Sequence, residues 1–189
     1  MRRAGEARPV TPAYLERAAL HYLERYSSSA ENLRRVLLRK ARRRLGPEGE
    51  PEPGIEAAIA EVVGRAVRSG LVDDRIYAES KAGALLRRGS STRAVGMKLR
   101  AKGVPDETAA AAVAVHEPDD LALARRHAQR KRLGPYRRPP DPAARDRDLA
   151  SLCRAGFPYR VAALALEAPA EEPDDAEAWP DLDPAGPHG

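Results

Sequence analysis

Apolar residues recur every three or four positions along most of the chain, which is the spacing of one face of an α-helix. The clearest case is the segment 55–70, where Ile55, Ile59, Val62 and Ala66 form one stripe. Polar residues, many of them arginines, occupy the opposite faces. The same spacing predicts further helices at about 12–26, 30–45, 74–88, 92–102, 105–116, 119–132 and 143–155, and a last helix that ends at Leu166.

Strand-forming and large apolar side chains are scarce. Ala supplies 36 of the 80 hydrophobic residues, and the chain contains three Ile, one Phe and one Trp. A substantial sheet needs β-branched and aromatic residues, and one thick core needs large apolar ones. The composition therefore predicts an all-α protein built from thin, locally packed helical layers.

Two segments, 99–105 and 152–158, spell the same junction between helices: Leu, three further residues, Gly, an apolar residue and Pro. Gly103 and Gly156 suit the left-handed conformation that ends many helices. The apolar residue can fold back onto the Leu, as in a Schellman motif, and Pro suits the first turn of the next helix. Because this junction occurs twice, the sequence predicts repeated small helical units.

The predicted helices group into three units of three helices each. We predict a flexible N-terminus at 1–11 and three-helix repeats at 12–70, 71–116 and 117–166. The remaining segment, 167–189, is rich in Pro and acidic residues and has too few apolar residues to order itself, so it is predicted to be a disordered tail.

Charge is unevenly distributed along the chain. Residues 167–189 hold eight acidic residues and no Lys or Arg, whereas residues 1–166 hold all 33 Lys and Arg against 20 Asp and Glu, a net charge of +13. A basic body favours a polyanionic partner or an acidic protein surface. The alternative is that the Arg- and Ala-rich composition reflects a GC-rich genome, with the basic faces simply solvated.

No reactive constellation is found in the sequence. The single cysteine, Cys153, excludes an intrachain disulfide and a cysteine metal cluster. The four histidines lack metal-ligand spacing, and no nucleophile elbow, phosphate loop or dinucleotide fingerprint occurs. The six tyrosines fall mostly on core stripes, which leaves few platforms for stacking bases. We expect a protein that is not an enzyme and that binds no cofactor or metal.

The sequence carries no sign of a membrane. No apolar run approaches the roughly 18–20 residues that a membrane span needs, and the N-terminus lacks the core of a signal peptide. A lone cysteine fits a reducing compartment. We therefore expect a soluble, cytoplasmic protein with no membrane partner.

Three short segments occur in the order found in a bacterial family. They are 70–78 (Gly-Leu-Val-Asp-Asp-Arg-Ile-Tyr-Ala), 87–89 (Arg-Arg-Gly) and 99–104 (Leu-Arg-Ala-Lys-Gly-Val), and their order resembles the centre of the RecX family of regulatory proteins. The resemblance covers about 13–166 and includes Ala18, Leu20, Tyr22, Leu23 and Leu33–Ala41 before the centre, and Leu149, Leu152 and Arg154–Phe157 after it.

The resemblance implies a fold and a function. The fold is a row of three three-helix repeats that forms an elongated, curved body. The function is that of a non-enzymatic regulator, which binds the filament of RecA on single-stranded DNA and modulates, mostly inhibits, its ATPase, strand-exchange and co-protease activities. The implied partners are the RecA filament and, through it, single-stranded DNA, and we expect a monomer. The long linker 46–54 and the acidic tail depart from the family pattern.

Basic helix faces are the candidates for contact with the filament, whose groove carries acidic protein surface and DNA phosphate. Each residue has the alternative reading of a solvated helix face. The candidates are Arg34, Arg35, Arg39, Arg42 and Arg43 in the first repeat, Arg87, Arg88, Lys98 and Arg100 in the second, and Arg125, Arg126 and Arg130 in the third.

Two other functions fit the same helices. A helical nucleic-acid-binding protein that acts independently of RecA would use the Ser/Thr-capped helices at 30–45 and 92–102 as recognition helices. Against this, the basic residues spread over three units, and no base-reading Asn or Gln accompanies them. The third reading is a plain protein–protein scaffold, a common role of helical repeats.

Overall fold

The chain is all-α over the part that the structure, a computed structural model, describes, which is residues 9–46 and 53–167. The predicted tail beyond Glu167 and most of the predicted flexible N-terminus lie outside these residues. Within them there is no strand, and the helices are α1 Pro12–Leu23, α2 Ala30–Leu45, α3 Pro53–Arg68, α4 Asp74–Arg87, α5 Thr92–Ala101, α6 Asp106–Ala114, α7 Asp120–Lys131, α8 Arg145–Arg154 and α9 Tyr159–Glu167, with short 3₁₀ helices at Gly134–Tyr136 and Pro142–Ala144.

The helices form consecutive triplets around two hydrophobic cores. Leu15, Leu33, Leu37 and Ile59 are fully buried where α1, α2 and α3 meet. Helices α4–α9 share a second core, in which alanines at the helix contacts allow close approach of the backbones. The all-α prediction is confirmed, and the boundaries proposed at residues 70 and 116 stay predictions.

Both predicted helix junctions have the hydrogen bonds of a Schellman motif. The Val104 N–H donates to the Leu99 carbonyl (3.2 Å), and the Phe157 N–H donates to the Leu152 carbonyl (3.2 Å). The glycine between them has φ +77° in the first junction and +95° in the second. All four apolar residues are buried. The prolines lie one position before the first helical residue, slightly earlier than predicted.

A serine at the start of a helix connects each triplet to the next. Ser29 caps α2, because its Oγ accepts from the Asn32 N–H (3.2 Å), and the same hydroxyl donates to the carbonyl of Lys102, the residue that ends α5. Ser91 caps α5 in the same way, and its hydroxyl donates to the carbonyl of Ala155 at the end of α8 (2.8 Å). We call these contacts the first joint and the second joint.

Aspartates and glycines complete the two joints at matching positions. At the first joint, the Asp74 carboxylate accepts from the Ala30 N–H (2.8 Å); at the second, the Asp120 carboxylate accepts from the Thr92 hydroxyl (3.2 Å). Gly103 lies directly against the side chain of Glu31, and Gly156 lies against Ser91. The triplets are therefore docked through one repeated set of contacts.

We predict that Ser91→Ala destabilises the protein by about 1–3 kcal/mol, because it removes a helix cap and leaves the partly buried Ala155 carbonyl without its donor. The free energy of unfolding in urea measures the change. Ser90→Ala is the matched control, since no side-chain hydrogen bond of Ser90 is found in the described chain, and it should stay within about 0.5 kcal/mol of wild type. Equal effects of the two substitutions would contradict the role of the joint.

Gly103→Ala should destabilise the protein more than Gly46→Ala. Both glycines have positive φ, +77° and +87°, so both substitutions carry a backbone cost of about 1–2 kcal/mol. A Cβ at Gly103 also collides with Glu31, whereas one at Gly46 meets no atom of the described residues within 4 Å. The collision should add about 1–3 kcal/mol, measured by urea unfolding. If the two variants are equally stable, the close contact between Gly103 and Glu31 does not affect the free energy of unfolding.

Candidate partner-binding surface

Helix α2 presents an uninterrupted basic face to solvent. Its core side buries Leu33, Leu37 and Ala41 in the first core. Arg39, Arg42 and Arg43 lie on the other side, where their side chains are exposed, and no carboxylate of the described chain forms a salt bridge with any of them. This face has cationic groups that a partner can reach without breaking an internal contact.

Two predicted contact residues at the start of α2 are held by the protein itself. Arg34 makes a two-pronged interaction with Glu31 (2.7 and 3.0 Å), and Arg35 Nε donates to the same carboxylate (2.8 Å). The hydrogen bond from Arg34, helped by Arg35, lowers the pKa of Glu31 to about 2, although burial opposes the shift. Arg35 also donates to the Ala101 carbonyl of α5 (2.9 Å), so it belongs to the first joint.

The candidates on α5 differ from each other. Lys98 is exposed and forms no salt bridge with the described residues. Arg100 is exposed too, but it faces Asp106 at the start of α6 (3.6 Å). Lys98 is therefore the better contact candidate of this pair.

Two of the third-repeat candidates, Arg126 and Arg130, pack against the end of α4 beside the second joint. Arg126 donates to the Arg87 carbonyl (3.2 Å), Arg130 donates to the Arg88 carbonyl, and His127 Nδ1 lies 3.3 Å from the Gly89 carbonyl. Burial lowers the pKa of His127, and the nearby Arg130 lowers it further. These α7 side chains therefore cover the end of α4.

Arg125 is half-buried, and its Nε finds no hydrogen-bond partner among the described residues. Arg87 and Arg88 are exposed and accept hydrogen bonds through their carbonyls, and the Arg87 guanidinium lies along α4 next to Gly83. Of the twelve predicted residues, six are exposed and form neither a salt bridge nor a side-chain hydrogen bond within the described chain: Arg39, Arg42, Arg43, Arg87, Arg88 and Lys98.

A groove at the first joint was missed by the sequence analysis. It has a volume of about 400 Å³ and is lined by tyrosines and by Arg25, Lys81 and Lys102. Tyr14, Tyr22, Tyr77 and Tyr136 belong to or pack against the two cores, as expected for most of the tyrosines, whereas Tyr26 is 56% exposed. The signal available in the sequence was the pair Tyr22 and Tyr26, which are four residues apart, with Arg25 directly before Tyr26.

Within 9–46 and 53–167, no group of three His, Cys, Asp or Glu side chains could hold a metal ion. No helix in this part of the chain has the length and apolar character to cross a bilayer.

Sequence comparisons find relatives along almost the whole chain. A family model described as RecX, second three-helix domain, matches residues 73–113, from the N-cap of α4 to near the end of α6. The chain is 45% identical over 168 residues to Regulatory protein RecX of Myxococcus xanthus (strain DK1622), a match that covers 85% of this chain and 88% of that protein. It is 30% identical over 177 residues to Regulatory protein RecX of Agrobacterium fabrum (strain C58 / ATCC 33970), covering 90% of this chain and 94% of that protein.

The fold also has a solved counterpart. The crystal structure of RecX from Lactobacillus salivarius is similar with a TM-score of 0.60, at 17% identity, over 82% of this chain and 94% of that one. At this identity the likeness concerns the fold alone, and it agrees with the tandem three-helix repeats seen here. The chain nearly spans the lengths of its two sequence relatives. These matches show that the chain belongs to the RecX family of regulatory proteins.

Proposed function

We propose that this protein binds the RecA–single-stranded-DNA filament and restrains it, lowering ATP hydrolysis, strand exchange and co-protease activity. Family membership supports this proposal, and the exposed basic face of α2, with Arg39, Arg42 and Arg43, is the observation that carries it. Such a face is complementary to acidic protein surface and to phosphate. In this proposal the protein acts as a monomer in the cytoplasm, without catalysis or cofactor.

The joints supply a mechanism. A polymer such as a RecA filament presents the same surface at regular intervals, so a partner that touches two subunits must hold its own contact faces at a fixed spacing. Ser29 and Ser91, which are both buried, fix each triplet against the next through the hydrogen bonds of their hydroxyls. The basic face of α2 and the arginines at the end of α4 can therefore bridge neighbouring RecA subunits and hold them in a less productive spacing.

The alternative of independent recognition helices fits the geometry poorly. A recognition helix contacts base edges with its N-terminal residues. The starts of α2 and α5 are instead occupied by the joints, where Ser29, Ala30, Ser91 and Thr92 bond to the following triplet. Insertion of either helix start into a major groove would require the joint to open.

We predict that the triple variant Arg39→Gln, Arg42→Gln, Arg43→Gln suppresses RecA ATP turnover about tenfold less potently than wild type, because three exposed contact charges of about 0.2–1 kcal/mol each are lost. The measurement titrates the protein into RecA on single-stranded DNA at fixed salt and follows ATP hydrolysis.

The matched control removes the same charge elsewhere, as Arg17→Gln, Arg154→Gln, Arg160→Gln. These three side chains are exposed on α1, at the end of α8 and on α9, and the control should keep wild-type potency. Equal loss in both variants would mean that net charge alone acts and that α2 is not the contact face. Failure of the wild-type protein to change ATP turnover at any concentration would refute the proposed function itself.

A further inference from the structure

The groove at the first joint lies between two triplets and is lined by residues of both. Its walls come from the end of α1, from α2, from one face of α4 and from the end of α5. A volume of about 400 Å³ falls in the range of ligand pockets, roughly 300–1,000 Å³. The space exists although the two joints share their serine, aspartate and glycine contacts.

Three positions of α4 that line the groove differ from the matching positions of α7 at the second joint. Helix α7 carries Arg126, His127 and Arg130 at seven, eight and eleven residues after its N-cap, Asp119. Their side chains pack over the loop before Ser91. The matching positions after Asp73, the N-cap of α4, hold Ser80, Lys81 and Ala84, which line the groove. Two arginines are thus replaced by Ser and Ala, and the volume that they fill at the second joint is left free at the first.

The open groove contains an exposed aromatic platform. The rings of Tyr22 and Tyr26 lie 5.2 Å apart and are tilted by 34°. The hydroxyl of Tyr22 accepts a hydrogen bond from Asn32 Nδ2 (3.1 Å), which holds that ring in place. Tyr26 is 56% exposed and lines the groove. It offers a face on which a flat ring can stack.

All the charged residues that line the groove are cationic. Arg25, Lys81 and Lys102 reach the groove from α1, α4 and α5, and none of the described residues that line it carries a carboxylate. Asp74 lies close by, but its carboxylate is engaged by the Ala30 N–H at the joint. Exposed aromatic rings interleaved with cations are the arrangement with which proteins bind single-stranded nucleic acid.

We propose that this groove binds a nucleotide of single-stranded nucleic acid directly, with the base stacked on Tyr26 and the phosphates held by Arg25, Lys81 and Lys102. An acidic peptide would satisfy the cations but would leave the aromatic platform without a partner. The proposal goes beyond the proposed function and does not rest on it, because the binding needs no RecA.

The first experiment measures anisotropy of a fluorescein-labelled oligothymidylate with the full chain and no RecA. Tyr26→Leu should weaken binding about tenfold, the size of one lost base stack. Tyr26→Phe keeps the ring and should bind nearly as wild type. Tyr159→Leu is the matched control, since Tyr159 is 67% exposed on α9, away from the joint. An abasic oligomer of the same length should bind more weakly and should not respond to Tyr26→Leu.

The second experiment closes the groove with the residues of the second joint. The variant Ser80→Arg, Ala84→Arg gains two positive charges, so general electrostatic attraction predicts tighter binding, whereas occlusion of the groove predicts weaker binding. We expect at least a tenfold loss. The control Ala110→Arg, Ala114→Arg adds the same charges at the same spacing on the exposed side of α6, and it should bind at least as tightly as wild type.

Several outcomes would overturn the proposal. They are no binding by wild type, equal binding of the abasic oligomer, no effect of Tyr26→Leu, tighter binding by the groove-closing variant, or competition by polyglutamate as strong as by unlabelled DNA. The last result would assign the groove to an acidic protein. None of these results depends on RecA, so they are separate from a failure in the ATP turnover assay.

Discussion

A serine hydroxyl at the start of a helix is the contact on which the arrangement of the triplets depends. A hydroxyl can accept and donate at once, and both functions are used by Ser29 and Ser91. Each oxygen accepts from a backbone N–H in the first turn of its own helix, and each hydrogen satisfies a carbonyl at the end of a helix in the next triplet. Both groups belong to helix ends, which lack partners within the helix. One buried atom therefore completes two helices and fixes how they meet.

Local features of this fold were readable from the sequence, whereas the contacts between triplets were not. The glycine junctions at 103 and 156 and the serine caps of the helices at 30–45 and 92–102 depend on residues within one turn of helix, so the pattern predicts them. The first joint pairs residues that are 73 positions apart in the sequence, and the second joint pairs residues that are 64 positions apart. Asp74 illustrates the difference: its place in the first turn predicts a favourable interaction with the helix dipole, but only the fold shows that it receives the Ala30 N–H.

The candidate surface was predictable as a charge pattern and not as individual contacts. Counting arginines identifies the basic faces, and helical spacing explains why Arg34 and Arg35 reach back to Glu31. Nothing in the spacing of Arg126 and Arg130 reveals that they end on carbonyls of α4, because those carbonyls lie 39 and 42 residues away. The groove was harder to predict, because it needs small side chains at Ser80 and Ala84. Small residues alone do not indicate a groove in a sequence.

The position of the groove links the two proposals physically. Its walls belong to two triplets, with Tyr22 and Tyr26 on the first and Lys81 and Lys102 on the second. A ligand that contacts both walls must favour the angle between the triplets at which both sets of contacts are made. The basic face of α2 is carried by the first triplet, and the arginines at the end of α4 by the second. A nucleotide in the groove would therefore set the spacing of the two faces proposed to bridge RecA subunits, so that DNA in the filament would itself help to align the regulator with the protein that coats it.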